Sequence, residues 1–189
     1  MPTITVAWRE RHAEVWCHCL VAHLALRLRR TPELELEAVR ERLEDLVDPN
    51  TDLLYHGTRA WQAARQGDAP AALADLAVCR RVTGAASMLS VYAIYGFIGE
   101  IMALLELRAA GNTGKRGLRG LARGVLQDFR GFARPFPAAW PYVAYMRGCW
   151  LTADGRAGRG ERLRARALRH LDLAVPADAF LRSLSVADH

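Results

Sequence analysis

Lysine is all but missing from this chain: Lys115 is the only one among 26 basic residues. The other cationic side chains are arginine, a bias that follows codon composition as readily as chemistry. Aromatic residues are scarce at 8%, too few for the interleaved stacking platforms that read single-stranded nucleic acid. Four cysteines, Cys17, Cys19, Cys79 and Cys149, are too scattered for a disulfide framework, so reduced thiols in a cytoplasmic setting are expected. The start, "MPTITVAWRERHAEVW", has no basic segment followed by an apolar core and reads as no secretory leader. Period-two alternation is also lacking, since the early "TITV" is too short to define a strand. Only one long uncharged run occurs, "VTGAASMLSVYAIYGFIG" from Val82 to Gly99. Glu100 ends it, many of its residues are small or hydroxylated, and basic residues flank both sides (Arg80 and Arg81; Arg108, Lys115 and Arg116). That lack of charge asymmetry argues for a buried core helix and against a membrane span.

What remains is rich in Ala, Leu and Arg, all strong helix formers. The 189 residues suit a single domain with a sizeable core. Helical periodicity is nearly continuous, and its breaks predict the elements. A first helix spans about Thr5 to Arg29. Thr31 caps a second, with Pro32 at its first position and Glu33, Glu35 and Glu37 at its positive end; Asp48-Pro49-Asn50 stops it. A third covers about Asp52 to Gln66 and ends at Gly67. Asp68 caps a fourth, to about Val82. An apolar helix follows from about Ala85 to Ala110, then a basic one from Lys115 to Ala133, closed by Arg134 to Pro137. Pro141 opens a helix ending at Asp154-Gly155, another runs to about Ala174, and Pro176 opens a short last one. The fold expected is all-α, seven to nine helices in stacked antiparallel hairpins.

Two stretches repeat one plan. Sliding Leu54–Arg81 by 88 residues onto Tyr142–Arg169 places Arg59 on Arg147, Ala60 on Gly148, Gly67 on Gly155 and Ala77 on Ala165. Each has a helix, a small residue seven before a glycine, a tight turn, and an Ala-containing helix. Antiparallel helices approach closely only where a side chain shrinks, so Ala60 and Gly148 are expected at helix crossings and Gln62 at the surface. Gly67 and Gly155 are expected in the left-handed conformation that ends a helix.

This plan resembles the tetratricopeptide repeat. Ala60, Ala72, Leu76 and Cys79 fit its small and large positions around Gly67; Gly148, Leu151 and Ala167 fit around Gly155. Arg59, Arg147 and Arg164 depart from it, and the intervening hairpin from Ala85 to Ala133 exceeds the consensus length. The last third is also similar to the helical region C-terminal to the ATPase module of large bacterial signalling ATPases, through Phe136, Pro137, Pro141, Gly148, Trp150, Gly155, Arg156, Ala157 and Ala167. The resemblance implies protein docking or regulation. No ATPase module is present, so it does not imply ATP hydrolysis.

The stretch "WCHCLVAH", Trp16 to His23, invites a metal reading. On a helix Cys17 and Cys19 lie about 200° apart and cannot share an ion. Cys19 and His23 share a face with His12 and Trp16, but two ligands fall short of the four of a structural zinc site. A helix face buried against a neighbour is expected, with no metal or other cofactor. "GNTGKRG", Gly111 to Gly117, is no phosphate loop: Ala109 stands where its first glycine should be, and Arg116 where Ser or Thr is needed. No nucleophile–histidine constellation is visible, so no catalytic residue is nominated.

Charge is unevenly placed. Residues 1–95 hold 11 Arg against 12 acids, and residues 96–189 hold 15 Lys+Arg against 8 acids. Within the basic half, Leu118, Leu121, Val125, Phe129 and Phe132 form an apolar stripe at helical spacing. Lys115, Arg116, Arg119, Arg123, Arg130 and Arg134 form a basic face, the kind that binds acidic partners or anionic surfaces. The expected function is a non-enzymatic interaction or regulatory scaffold domain, with another protein, an ATPase or kinase subunit, or a second copy as partner. The first helices of the hairpins would line its groove with Leu54, Gly57, Trp61 and Arg65, and with Tyr142, Tyr145, Met146 and Cys149. The rival readings are a nucleic-acid or anionic-surface binder using the basic half, and a small helical enzyme.

Overall fold

The computed structural model describes residues 3–30, 36, 37, 39, 40, 48–85, 89–111 and 114–174, with side chains described except at 3–11, 115 and 171–174. The described residues form helices joined by short turns, with no strand among them. Among the described residues, seven α-helices with described bounds follow one another: α1 (Thr3–Arg27), α2 (Pro49–Arg65), α3 (Ala69–Ala85), α4 (Ala93–Ala110), α5 (Lys115–Phe132), α6 (Trp140–Ala153) and α7 (Ala157–Ala174). A 3₁₀ turn, Pro137–Ala139, precedes α6. No described helix is long and apolar enough to cross a membrane. The expected cap at Thr31 and the last helix after Pro176 lie outside the described residues. The chain divides into two compact units, Met1–Ala103 and Leu104–His189.

In the first unit α2 is the central helix, with eleven residues buried. It starts at Pro49, a little before the expected Asp52, with Asp48 as its N-cap; the residues leading up to Asp48 lie outside those described. The Asp48 carboxylate accepts from the backbone N–H of Asn50 and Thr51 at 3.2 and 3.1 Å, satisfying two donors that a helix leaves orphaned, and Pro49 stands where no donor is needed. Helix α1 runs alongside α2 in the same direction. His12 meets Asp48, Trp16 donates from its indole Nε1 to the Thr51 hydroxyl at 2.9 Å, and His23 lies 3.5 Å from the Thr58 hydroxyl. At the far end Arg65 donates to the Leu26 carbonyl. Val15, Cys19 and Ala22 of α1 and Leu54 and Tyr55 of α2 share one buried core cluster with Leu36 and Val39.

The uncharged run is not one helix. Helix α3 continues through Gly84 to Ala85, and α4 begins only at Ala93. Between them the Ser90 N–H donates to the Asn50 side-chain oxygen, tying this connection to the start of α2. Val91 and Tyr92 are exposed there, and bonds from Ala93, Ile94 and Tyr95 back three residues wind the chain into α4. Helix α4 crosses α2 at glycines. A Cβ on Gly99 would stand 2.5 Å from the Gly57 carbonyl oxygen, and one on Gly57 would overlap the Gly96 backbone.

Two hairpins have the same turn. After α2, Gly67 has φ +82°; after α6, Gly155 has φ +82°. The Asp68 N–H bonds the Ala63 carbonyl and the Gly67 N–H that of Ala64; 88 residues on, Arg156 bonds Leu151 and Gly155 bonds Thr152. Both turns are Schellman motifs, which satisfy the last carbonyls of a helix through a left-handed residue. In the second unit α6 and α7 close on each other at Gly148 and Gly160. A Cβ on either would come within 2.8 Å of the other's carbonyl oxygen. The matching positions of the first hairpin, Ala60 and Ala72, are both fully buried. Gln62 is buried, not at the surface as its polarity suggests.

Candidate interaction surfaces

The "WCHCLVAH" face is core. His12, Cys19 and His23 are buried and Trp16 is half-buried, while Cys17 points out on the opposite side. His23 packs edge-on against Trp61 and Tyr95, with ring centroids 5.1 and 5.8 Å away. Burial, with the Arg27 charge beside it, pushes its pKa down to about 3. Burial pushes the Cys19 thiol up to about 12. Both shifts favour neutral groups packed in an apolar setting. Among the described residues no cluster of three or more His, Cys, Asp or Glu could hold a metal ion.

The residues expected along a partner groove are placed differently from one another. Leu54, Trp61, Tyr145 and Met146 are each no more than 2% exposed and belong to the core. Gly57 is covered by the backbone of α4. Arg65 spends its guanidinium on the end of α1, and Tyr142 and Cys149 are half-buried. At these positions α2 packs against α1 and α4. A two-hairpin pattern identifies which helix faces turn inward, but not that the chain's own helices fill them.

The basic segment behaves differently. Leu118, Val125, Phe129 and Phe132 are buried, Leu121 is half-buried, and Arg116, Arg119, Arg123, Arg130 and Arg134 are exposed. At about 100° per residue the arginines fall on one stripe opposite the apolar one. Gly117, Gly120, Gly124 and Gly131 fall on a second stripe beside them, about 90° round. Added Cβ atoms at Gly117, Gly120 and Gly131 would meet nothing within 4 Å. The side chain of Lys115 lies outside those described. Arg119 is not simply solvated: its Nε donates to the Asp154 carboxylate at 2.7 Å. Arg108 approaches the same oxygen at 3.1 Å and donates from Nε to the Ala153 carbonyl at 2.8 Å, with its guanidinium over the Trp150 ring. Two arginines thus clamp the end of α6, and the Arg119 hydrogen bond holds the Asp154 carboxyl below the usual carboxylate range.

One polar cluster was not legible as a motif. Asp75 of α3 is 1% exposed, and its two oxygens take His56 Nδ1 and Arg59 Nε of α2, each at 2.8 Å. Arg59 also donates to the Tyr55 hydroxyl at 3.2 Å and stacks over that ring. Reflecting the hairpin about Gly67 sets Arg59 opposite Asp75, and that is the signal that could have found the pair. A buried carboxylate persists only with such partners. A carboxylate-held histidine is half of a general-base pair, but the nearby thiol is poorly suited as a nucleophile. Cys79 is fully buried, and burial, then Glu100 and Asp75, push its pKa up, opposite to what a reactive cysteine needs. The cluster's evident work is to lock α2 to α3.

Comparison with protein-family models, with curated proteins and with solved structures gives no match to this chain.

Proposed function

We propose that this chain is a non-enzymatic, tetratricopeptide-like scaffold domain whose stacked hairpins hold α5 out as a docking helix for an acidic protein partner. The observation that carries the reading is the arginine face of α5: four exposed arginines over a buried apolar stripe, with exposed Arg134 just past the helix end. Asp128 is the only acid in that helix. The glycine stripe beside it lets a partner's backbone approach closely while the arginines reach its carboxylates. The matching turns at Gly67 and Gly155 support the repeat architecture, and the resemblance to signalling ATPases makes an ATPase or kinase subunit of a bacterial system the first partner class to test.

The direct test is titration of a labelled oligoglutamate peptide at physiological salt against the wild type and Arg123→Glu/Arg130→Glu. Saturable binding weakened at least tenfold by the double reversal is expected. Equal binding by the reversal would overturn the assignment of this face. The rival use of the same face, nucleic-acid binding, is favoured only by its charge; the helix carries no aromatic on its exposed side to stack on bases.

A further inference from the structure

The arginine pattern of α5 occurs a second time in the chain. Residues 116–123 read "RGLRGLAR" and residues 159–166 read "RGERLRAR", an R-G-x-R-x-x-A-R pattern in both. The second copy lies on α7, where Arg169 extends it. Arg159, Arg162, Arg166 and Arg169 are all exposed. At about 100° per residue they fall within about 80° of one another and span about 15 Å along the helix. Gly160 and Ala167, both buried, lie on the other side of α7, and exposed Glu161 stands about 120° round from the middle of the stripe. Among the described residues none of the four arginines is ion-paired, unlike Arg119 of α5. Arg162 and Arg166, four apart, repel each other, so the row works against its own helix until an opposite charge is laid along it.

The two arginine stripes start from one corner of the second unit. Helices α5 and α7 both pack on α6. Arg119, in the second turn of α5, bonds Asp154 at the end of α6, and α7 begins three residues later at Ala157. Only residues 133–139 connect the other end of α5 to the start of α6. Helices α5 and α7 therefore run in the same direction along α6, and the arginine side of α5 is turned towards the turn from which the stripe of α7 departs. The geometry points to a single basic surface made of both stripes, on which one acidic segment of the partner protein sits. This rests on the reading of α5 as a docking helix and adds α7 as its second half. Charge complementarity selects the occupant. An extended acidic segment offers a carboxylate about every 3.4 Å, and each guanidinium fork can take one through two parallel hydrogen bonds. Helix α7 contains no Phe, Tyr or Trp to stack on bases, so nothing on it favours a nucleic acid beyond charge.

The test uses the full chain and dodecaglutamate, about 40 Å long when extended and so able to reach both stripes. At physiological salt one peptide is expected per chain. Arg162→Glu/Arg166→Glu on α7 should weaken it at least tenfold, because removing one of two linked contacts removes the gain of holding both. Circular dichroism should show the helices intact, since both side chains are exposed. Arg80→Glu/Arg81→Glu on α3 makes the same change in net charge elsewhere and should weaken binding less than about threefold; a loss there equal to that on α7 would overturn the proposal. Unchanged affinity in the α7 reversal would also overturn it and leave the α5 reading standing. Two independent peptides per chain would overturn the single surface. Weakening by the α7 reversal with none by Arg123→Glu/Arg130→Glu would overturn the α5 reading and the joint surface with it. Submicromolar oligonucleotide binding at the same salt, lost in the α7 reversal, would overturn the acidic-protein occupant.

Discussion

Gly148 and Gly160 face each other across the α6–α7 hairpin so closely that neither position has room for a methyl group. A Cβ on Gly148 would stand 2.8 Å from the Gly160 carbonyl oxygen, and one on Gly160 2.6 Å from that of Gly148. Because the obstacle is backbone, the helices must move apart to admit it. Gly148→Ala is therefore expected to destabilise by about 1–3 kcal/mol despite alanine's better helix propensity. Gly120→Ala, in open space on α5, should stabilise by up to about 1 kcal/mol. Denaturant midpoints of the two variants should shift in opposite directions.

The two turn glycines make a paired prediction. Gly67 and Gly155 both hold φ +82° with open space where a Cβ would go, so backbone strain alone sets the cost of alanine. Each Gly→Ala change should cost about 1–2 kcal/mol, and Asn at either site should cost less because it tolerates this conformation. Unequal responses at the two sites would show that the turns are not equivalent in solution.

His23 predicts the acid side of the stability curve. Its folded pKa of about 3 lies below the 6.5 of an exposed histidine, so below pH 6.5 the unfolded chain binds a proton that the folded chain refuses. Stability from this group is complete above pH 6.5. It falls by up to about 1.4 kcal/mol per pH unit as pH drops towards 3. Urea unfolding of His23→Gln should lose this part of the slope between pH 6.5 and 4 while the wild type retains it.

Thiol labelling tests the packing of α1. Cys17 is exposed, whereas Cys19 and Cys79 are fully buried with raised pKa values. A maleimide should label Cys17 rapidly in the native protein, and Cys19 and Cys79 only on unfolding. Elemental analysis should find no stoichiometric zinc, and chelator should leave the thermal transition unmoved.

Much of this was readable before any coordinates. Turn glycines announce themselves because a helix that ends in a left-handed residue has few alternatives to Gly67 or Gly155, and the arginine and apolar faces of α5 follow from its period alone. The small residue at Gly148 was recognisable because it stands seven before Gly155, as Ala60 stands seven before Gly67. Other features depend on partners far along the chain. Gly57, Gly96 and Gly99 sit in apolar sequence where glycine marks nothing locally, and only the crossing of α4 over α2 gives them a role. The contact that ties the connection before Ala93 to the start of α2 was hidden because Asn50 lies 40 residues away from Ser90. Arg119 looked solvent-facing from its helix position, yet Asp154 at the α6 turn captures it.

Arg119 therefore carries a structural load as well as a charge. Asp154→Ala should release Arg108 and Arg119 together and cost about 1 kcal/mol, whereas Arg123→Ala, exposed and at the surface, should be nearly neutral. Chemical denaturation distinguishes the two.

The most direct test of the central claim, that the α5 face docks protein rather than nucleic acid, is titration with single- and double-stranded oligonucleotides across a salt series. Several phosphate contacts would make affinity fall by orders of magnitude between low and physiological salt. The account predicts weak, sequence-independent binding that vanishes by physiological salt. Submicromolar, structure-dependent binding at physiological salt, abolished by Arg123→Glu/Arg130→Glu, would contradict it.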